Sequence, residues 1–301
     1  MLSKFLDPKN DVAFKKIFGS EKNKDILIHF LNDMITFKGN GHIVDVSFLK
    51  TSQDPVIAAQ KTSIVDILCK DEKGHIYIVE MQVAKEKGFV KRAQYYASKA
   101  YIAQAHAGGE YHDLKEIIFL AISDFVMFSD KKDYKSDHLM LDMKNHTNDL
   151  KDFSFSFIEL PKFDKDIDHL SSITDKWCYF FKHAEETSEK DLHKLIGQDQ
   201  IIERAYEELN RFSWNEQELL TYDQAEKYAG AYHASMEQKY DEGKAIGKKE
   251  GLQEGKKEGK KEGEQEALLK VARNLLIKGI DISTIISSTG LTKEVIKSLK
   301  K

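Results

Sequence analysis

The chain has 301 residues, 41% hydrophobic residues and a formal net charge of −4. This length suffices for one sizeable core and a smaller appended module, and the composition argues against a disordered protein. The negative net charge argues against a strongly basic protein that coats DNA, although a local basic patch is enough to contact a phosphate backbone.

Three features of the sequence bear on its cellular compartment. The first residues lack the hydrophobic region of a signal peptide. No stretch approaches the roughly 18 consecutive apolar residues of a membrane span. The two cysteines, Cys69 and Cys178, are too few for a disulfide framework or a zinc site. We therefore expect a soluble protein of the reducing cytoplasm without a membrane partner.

The first predicted elements are two helices and a strand. Residues 11–19 repeat phenylalanine at helical spacing and end on a glycine, which is typical of a helix end. Residues 24–37 carry apolar residues at the same spacing and predict a second helix. A turn is expected at residues 39–41, and the alternation of residues 42–49 then predicts a strand.

Two further strands are predicted on either side of a turn at residues 71–74. The first, residues 63–69, is apolar on both faces except for Asp66. The second, residues 75–83, includes Glu80 directly after an apolar run. An ionised carboxylate in such surroundings is costly without a partner, so both residues require a bound cation or an opening to solvent.

The remainder of the N-terminal half predicts a helix and two more strands. The helix covers about residues 89–106, and the strands cover residues 117–123 and 153–160. The order of helices and strands predicts the α/β class, with a mixed sheet core flanked by helices. From residue 165 to 240 the pattern is helical, and a cluster of aromatic residues is expected in its core: Trp177, Phe180 and Phe181.

From Gly243 to Gly263 a glycine recurs at every fourth position among lysine and glutamate. Each glycine in a helix costs roughly 1 kcal/mol relative to alanine, which favours a solvated, partly helical tether. The alternative is a helix whose small residues permit close contact with a second helix in a dimer. We favour the tether.

Residues 265–301 carry the pattern of three short amphipathic helices, with a turn at Thr289 and Gly290 and a cap at Thr292. The last two helices are similar to a helix-turn-helix, which can bind DNA or serve as a packing module. The third helix offers lysines but no arginine, asparagine or glutamine for base edges, which argues against sequence-specific binding. We expect the apolar faces of the tail to meet the main domain or a second copy, as a homodimer.

The carboxylates Asp66 and Glu80 form the main candidate site. Glu80 and Gln82 are two residues apart in a strand and therefore share a face. If the two strands pair as a hairpin, Asp66 meets Glu80 across it. Adjacent carboxylates repel each other and are stabilised by a divalent ion between them. Oxygen ligands favour Mg²⁺ or Mn²⁺, with Ca²⁺ as a further candidate.

The arrangement of Asp66, thirteen intervening residues and Glu80-Met81-Gln82 resembles the motif of the PD-(D/E)XK nucleases. Val65 precedes the aspartate, where many members have proline. Gln82 stands where most members have lysine.

Two further segments make the resemblance more specific. With residues 11–19 and 91–99, this variant of the motif resembles the Rpn family of recombination-promoting nucleases, often labelled transposases. The resemblance covers about residues 1–240. It implies a restriction-endonuclease-like fold and an Mg²⁺-dependent DNA endonuclease with broad sequence tolerance. It also implies a role in DNA recombination, linked to mobile elements or phage defence.

The resemblance also implies a role for each matching residue. Asp66 and Glu80 would hold the metal together with the Met81 carbonyl, and Gln82 would position water or phosphate without supplying a positive charge. Asp11 equally suits a helix N-cap, and the residues that follow β-strand 75–83 equally suit a solvated helix face. The supporting residues implied are Asp11, Arg92, Tyr96 and Lys99, and the residues implied to contact DNA are Lys15 and Lys16.

These patterns predict four regions. They are a PD-(D/E)XK nuclease-like core over residues 1–165, a helical extension over residues 166–240, the tether or helix over residues 241–264, and the helix-turn-helix-like tail over residues 265–301.

Two alternatives to the endonuclease remain. The first is a catalytically weak nuclease-like module that binds nucleic acid, which the missing lysine at Gln82 keeps open. The second is a transposase that uses three carboxylates. Its third acid would be Asp124 or Asp130, but neither follows a matching motif, so this alternative is less favoured.

Overall fold

Two compact units make up the chain, Met1–Ala231 and Tyr232–Lys301. The computed structural model describes residues 3–36, 41–53, 63–105, 109–197 and 199–299.

Six strands of the first unit form a mixed sheet in the order β1-β4-β5-β6-β8-β7, and β2 and β3 form a separate short pair. The three central strands β5, β6 and β8 are parallel, whereas β1, β4 and β7 pair antiparallel at the two sides. The strands are β1 (Val46–Phe48), β2 (Ser52–Gln53), β3 (Ser63–Ile64), β4 (Ile67–Asp71), β5 (Ile76–Gln82), β6 (Ile117–Ser123), β7 (Lys135–Leu139) and β8 (Phe153–Glu159).

Helices cover both faces of this sheet and continue into the second unit. A parallel pair of strands needs a crossover connection, and α3 provides it between β5 and β6. The α-helices are α1 (Asp11–Phe18), α2 (Lys24–Met34), α3 (Phe89–Ile102), α4 (Ile173–His183), α5 (Glu189–Ile196), α6 (Gln200–Glu208), α7 (Glu216–Ile277), α8 (Ile282–Thr289) and α9 (Lys293–Ser298).

The sheet separates two hydrophobic clusters. Alternate residues of β5 point to opposite faces, so Tyr77 and Val79 enter the larger cluster with α1, α2, α4 and α6, while Ile78 enters the smaller cluster under α3. Trp177 lies in the larger cluster, with its ring 5.1 Å from that of Phe30. The predicted aromatic core residues of α4 are all buried. The predicted α/β class with a mixed sheet and flanking helices is confirmed.

Several boundaries differ from the prediction. The second helix ends at Met34 because Ile35 adopts an extended backbone. The predicted strand at residues 42–49 is limited to β1, and the predicted strand at residues 63–69 is broken between β3 and β4. Strand β7 was not predicted, because its sequence has no apolar alternation and it lies at the sheet edge.

Parts of three predictions lie outside the described residues. They are the end of the second predicted helix at residue 37, the first two residues of the turn at residues 39–41, and the end of the third predicted helix at residue 106.

The second unit contains most of α7 and the two short helices that follow it. All six glycines of the repeat lie within α7, so this segment is helical as far as the structure describes it. The second and third predicted tail helices are confirmed as α8 and α9, whereas the first is the end of α7 and not a separate short helix. Asp281 caps α8, Thr292 caps α9, and Gly290 ends α8 with a φ of 69°. Three buried residues form the centre of this small cluster: Ala272, Ile285 and Ile296.

Membrane insertion was not expected from the sequence. Among the described helices, none combines the length and the apolar character needed to cross a bilayer.

Candidate active site

The candidate site lies directly before the first residue of strand β4. The β4–β5 ladder starts with Ile67 opposite Val79, whereas Asp66 forms a bend. Instead of a ladder hydrogen bond, the backbone N–H of Met81 donates to Asp66 Oδ2 at 2.8 Å. A side chain therefore takes the place of a strand at this point of the sheet.

Glu80 is the second carboxylate of the site and is only 3% exposed. Its Oε1 accepts a hydrogen bond from the Asp66 backbone N–H at 3.3 Å, and its Oε2 accepts one from the Gln82 amide at 3.0 Å. The predicted hairpin is thus present, and each carboxylate is tied to the strand that carries the other. Glu80 and Gln82 share the sheet face beneath α3, as their spacing predicts.

The electrostatic state of the two carboxylates follows from their burial. Burial raises the pKa of Asp66, although the Met81 N–H and the Lys15 ammonium oppose this rise. Burial and the nearby charge of Asp66 both raise the pKa of Glu80. The neighbouring positive groups therefore do not fully compensate the pair, and an additional cation would stabilise the ionised forms.

The carboxylate and carbonyl oxygens at this point of the sheet are suitable ligands for a small divalent cation. Among the described residues, no three His, Cys, Asp or Glu side chains form a group that could hold a metal ion. A cation would therefore depend on Asp66, Glu80 and further oxygen atoms. The N–H and C=O of a strand residue point to the same side, so the Met81 carbonyl lies on the edge where its N–H meets Asp66. These three residues fit the oxygen preference of Mg²⁺ and Mn²⁺.

Helix α3 brings a guanidinium to the same face of the sheet. After Phe89, its buried residues are small, which allows the helix to approach the strands closely: Ala93, Ala97 and Ala100. Arg92 Nη2 donates to Gln82 Oε1 at 2.7 Å, and Arg92 also forms an ion pair with Glu86. These contacts fix the amide of Gln82, which accepts from Arg92 and donates to Glu80.

The other two predicted residues of α3 lie on the same partly buried side as Arg92. The ring of Tyr96 lies 5.8 Å from the Arg92 guanidinium, and burial raises the pKa of its hydroxyl. Lys99 lies one turn further, with its ammonium 5.8 Å from the centre of the Tyr95 ring.

Helix α1 contributes a second cation. Lys15 Nζ lies 2.6 Å from Asp11 and 3.9 Å from Asp66 Oδ1. Asp11 is the first helical residue rather than the cap, since the Asn10 side chain accepts the Val12 N–H. The alternative role of Asp11 as an N-cap was therefore wrong.

Lys16, the neighbour of Lys15 on α1, has different partners. Its ammonium lies 2.6 Å from Glu218 and 4.1 Å from the centre of the Trp214 ring. The structure therefore brings Lys15 to the carboxylates but engages Lys16 with the start of α7.

Two residues beside the site were missed from the sequence. Glu86 orders Arg92, but it lies in a charged loop in which nothing distinguishes it from its neighbours. Lys9 pairs with Asp124 at 2.9 Å, and the Asp124 backbone N–H bonds the Gln82 carbonyl at 2.9 Å. Asp124, one of the two acids considered for the transposase alternative, therefore adjoins the site with its carboxylate already paired. The other acid, Asp130, is exposed in the following loop.

Two family models match the chain. The model described as PD-(D/E)XK nuclease family transposase matches residues 8–239. The model described as Rpn/YhgA-like nuclease family, C-terminal HTH domain, matches residues 265–301. No curated protein and no solved structure matches the chain. The resemblance predicted from the sequence is confirmed, and the chain belongs to the family described as PD-(D/E)XK nuclease family transposase.

Proposed function

We propose that this chain is a DNA endonuclease that requires a divalent cation, with Mg²⁺ as the first candidate and Mn²⁺ or Ca²⁺ as alternatives. The observation that carries the proposal is the Asp66–Glu80 pair, which is largely buried. The Asp66 N–H donates to the Glu80 carboxylate, and the Met81 N–H donates to the Asp66 carboxylate. Such a pair weakens the fold unless a cation stabilises its ionised forms, and buried carboxylates of this kind are common at functional sites.

Asp66, Glu80 and the Met81 carbonyl would hold the cation. When bound, a divalent cation activates water and neutralises the charge that develops on a phosphate. The residues of the chain orient the reacting groups around it. Gln82 Nε2 already donates to Glu80 at 3.0 Å, which keeps a metal-binding carboxylate in one orientation.

Arg92 would act through Gln82. Its bond to Gln82 Oε1 prevents the amide from rotating, so that the NH₂ group faces the carboxylates.

Broad sequence tolerance and a role in recombination complete the proposal. The described part of α9 carries Lys293 and Lys297, which suit phosphates better than base edges. A tail that binds the phosphate backbone of DNA would bring the DNA to the nuclease without selecting a sequence. We also propose a homodimer through this tail, and a cytoplasmic location.

A second candidate function is a module that binds nucleic acid and cuts it poorly. The observation that favours it is Gln82, a neutral residue at the position where most relatives in the superfamily carry lysine. Binding without cutting would leave the carboxylate pair as a remnant.

Plasmid cleavage separates the two functions. Supercoiled plasmid is incubated with the protein in Mg²⁺, in Mn²⁺ and in EDTA, beside Glu80→Ala. The endonuclease predicts nicking or linearisation with either metal, and none in EDTA or with the variant. Equal cutting by Glu80→Ala would show that the site is wrongly assigned. Retarded but uncut plasmid would support the binding module.

A further inference from the structure

Gln82 is neutral, although the hydrolysis of a phosphodiester develops negative charge on the phosphate. In phosphodiester hydrolysis the oxygen of water bonds to phosphorus while the bond from phosphorus to the leaving oxygen breaks. The water loses a proton to solvent, and the leaving oxygen gains one. The non-bridging phosphate oxygens carry more negative charge during this exchange, and a fixed cation beside them lowers the barrier.

Two cations lie close enough to the carboxylates to serve this purpose. Arg92 is engaged on both sides, since one terminal nitrogen donates to Gln82 and the other pairs with Glu86. Its position is fixed by these contacts and by the rings of Phe89 and Tyr96. Arg92 therefore orders Gln82 and has little freedom to follow a phosphate.

Lys15 differs from Arg92 in exposure and in its contacts. Its side chain is 42% exposed, whereas that of Asp66 beside it is 19% exposed. Asp11 lies 2.6 Å from the ammonium, and 3.9 Å separates the ammonium from Asp66 Oδ1, which is too long for a hydrogen bond. An ammonium has three donor hydrogens, so donors remain for an incoming anion.

The direction of approach also favours Lys15. Asp66 Oδ2 accepts the Met81 N–H, which leaves Oδ1 on the side of Lys15. A phosphate oxygen that approaches Asp66 Oδ1 therefore comes close to the Lys15 ammonium. Phe14 and Phe18 of α1 are buried, which holds the helix against the core and limits the positions that Lys15 can reach.

We propose that Lys15 is the catalytic cation that contacts the scissile phosphate, in place of the lysine absent from position 82, and that Asp11 is its positioning residue. This inference rests on the proposed endonuclease function. It assigns the positive charge to helix α1 instead of strand β5. The role assigned to Lys15 is electrostatic.

The test compares Lys15→Met with Lys22→Met as a matched control. Lys22 is an exposed lysine that pairs with Glu208. Cleavage is measured over a range of DNA concentrations to separate kcat from KM, and Mn²⁺ binding is measured by calorimetry without DNA. Circular dichroism and the Tm show whether each variant is folded.

A chemical rescue isolates the charge itself. Cys69 and Cys178 are fully buried, and burial raises the pKa of both thiols, so an exposed cysteine reacts selectively. Lys15→Cys is alkylated with 2-bromoethylamine, which restores an ammonium at the end of a side chain of lysine length. Alkylation with iodoacetamide adds a neutral group of similar size.

The expected result is a kcat for Lys15→Met that is about 100-fold lower, with KM and the control close to wild type. Aminoethylation of Lys15→Cys restores most of the lost rate, and the neutral group does not. Mn²⁺ affinity stays the same or increases, because the substitution removes a positive charge 3.9 Å from Asp66.

Three results would overturn the inference while the endonuclease stands. A raised KM with unchanged kcat would reduce Lys15 to a contact of the DNA backbone. Mn²⁺ binding weakened tenfold or more, as in a damaged metal site, would show that Lys15 only supports the carboxylates. Equal rescue by the neutral group would show that size matters rather than charge. If the wild type fails to cut with Mg²⁺ and Mn²⁺, the proposed function fails and the inference falls with it.

Discussion

The two units of the chain use polar residues in opposite ways. In the first unit, charged groups lie in the core, where Glu80 of strand β5 and Asp175 of helix α4 are almost fully buried. In the second unit, the lysines and glutamates of α7 are exposed, and three side chains of the described residues form a buried centre. A core held by many long-range strand pairs can tolerate buried charge, whereas a small helical cluster cannot.

This contrast indicates which property a substitution in each unit is expected to affect. The first unit places its chemistry inside an extensive core, so substitutions at the site are expected to affect activity more than folding. The second unit has little core, so its contribution is expected to lie in binding and association. The predictions below test this division, beginning with the largest effect.

The largest effect is expected at Gln82. In Gln82→Ala the bridge from Arg92 to Glu80 is lost, and we expect cleavage to slow by about 100-fold while the Tm stays close to wild type. Gln82→Lys should retain activity, because lysine fills this position in related enzymes. Single-turnover cleavage and thermal melting measure the two properties. An unchanged rate in Gln82→Ala would make this residue a bystander.

The buried Asp175 tests the tolerance of the core to charge. Burial alone would raise its pKa, but hydrogen bonds from Lys165, Tyr134 and Ser171 outweigh it and hold the pKa well below the ordinary value of 3.8. A carboxyl group whose pKa is lowered by folding stabilises the folded state at pH values above the pKa that it has in the unfolded chain. This stabilisation is lost as the pH falls below that pKa.

Asp175→Asn is therefore expected to lower the free energy of unfolding by about 1.5–3 kcal/mol at pH 7, as for hydrogen bonds to a charged group. The difference from wild type should shrink as the pH falls below the ordinary Asp pKa of 3.8. Urea unfolding at several pH values measures it. A difference that does not vary with pH would show that the charge of Asp175 does not stabilise the fold.

Gly251 tests the two interpretations of the glycine repeat. Apart from its own stretch of helix, a Cβ at this position meets no atom of the described residues within 4 Å, and the residue is helical. Gly251→Ala should stabilise the local helix by about 1 kcal/mol, which slows amide exchange around it about fivefold. Weaker self-association, seen by light scattering, would instead support close helix–helix contact between copies.

The smallest effect on chemistry is expected from removal of the tail. All candidate site residues precede residue 100, so a chain of residues 1–240 should fold and retain its kcat within about twofold. We expect DNA affinity or oligomeric state to change, as cleavage titrations and light scattering would show. Complete loss of cutting by a folded fragment at saturating DNA would make the tail part of the active machinery.

Much of the fold was predictable because its patterns are local. The continuous apolar run of β6 and the cap at Thr292 depend on nearby residues, and both were confirmed. The hairpin between β4 and β5 was predicted from the turn at residues 71–74, and with it the meeting of the two carboxylates.

The missed features depend on residues far apart in the chain. The polar strand β7 is held by pairing with β8 and has no pattern of its own. The contact of Glu86 with Arg92 requires the path of a loop, and the separation of Lys15 from Lys16 requires the orientation of α1. Adjacent lysines are equivalent in sequence, and only packing distinguishes them.

The break between β3 and β4 has a consequence for design and selection. In a continuous ladder through residues 65 and 66, a backbone carbonyl would replace the Asp66 carboxylate as acceptor of the Met81 N–H, and an apolar residue at position 66 would remove a largely buried charge. Both changes would favour folding and eliminate the site. Sequence optimisation for stability alone would therefore tend to eliminate the site, so Asp66 should be held fixed in any such design.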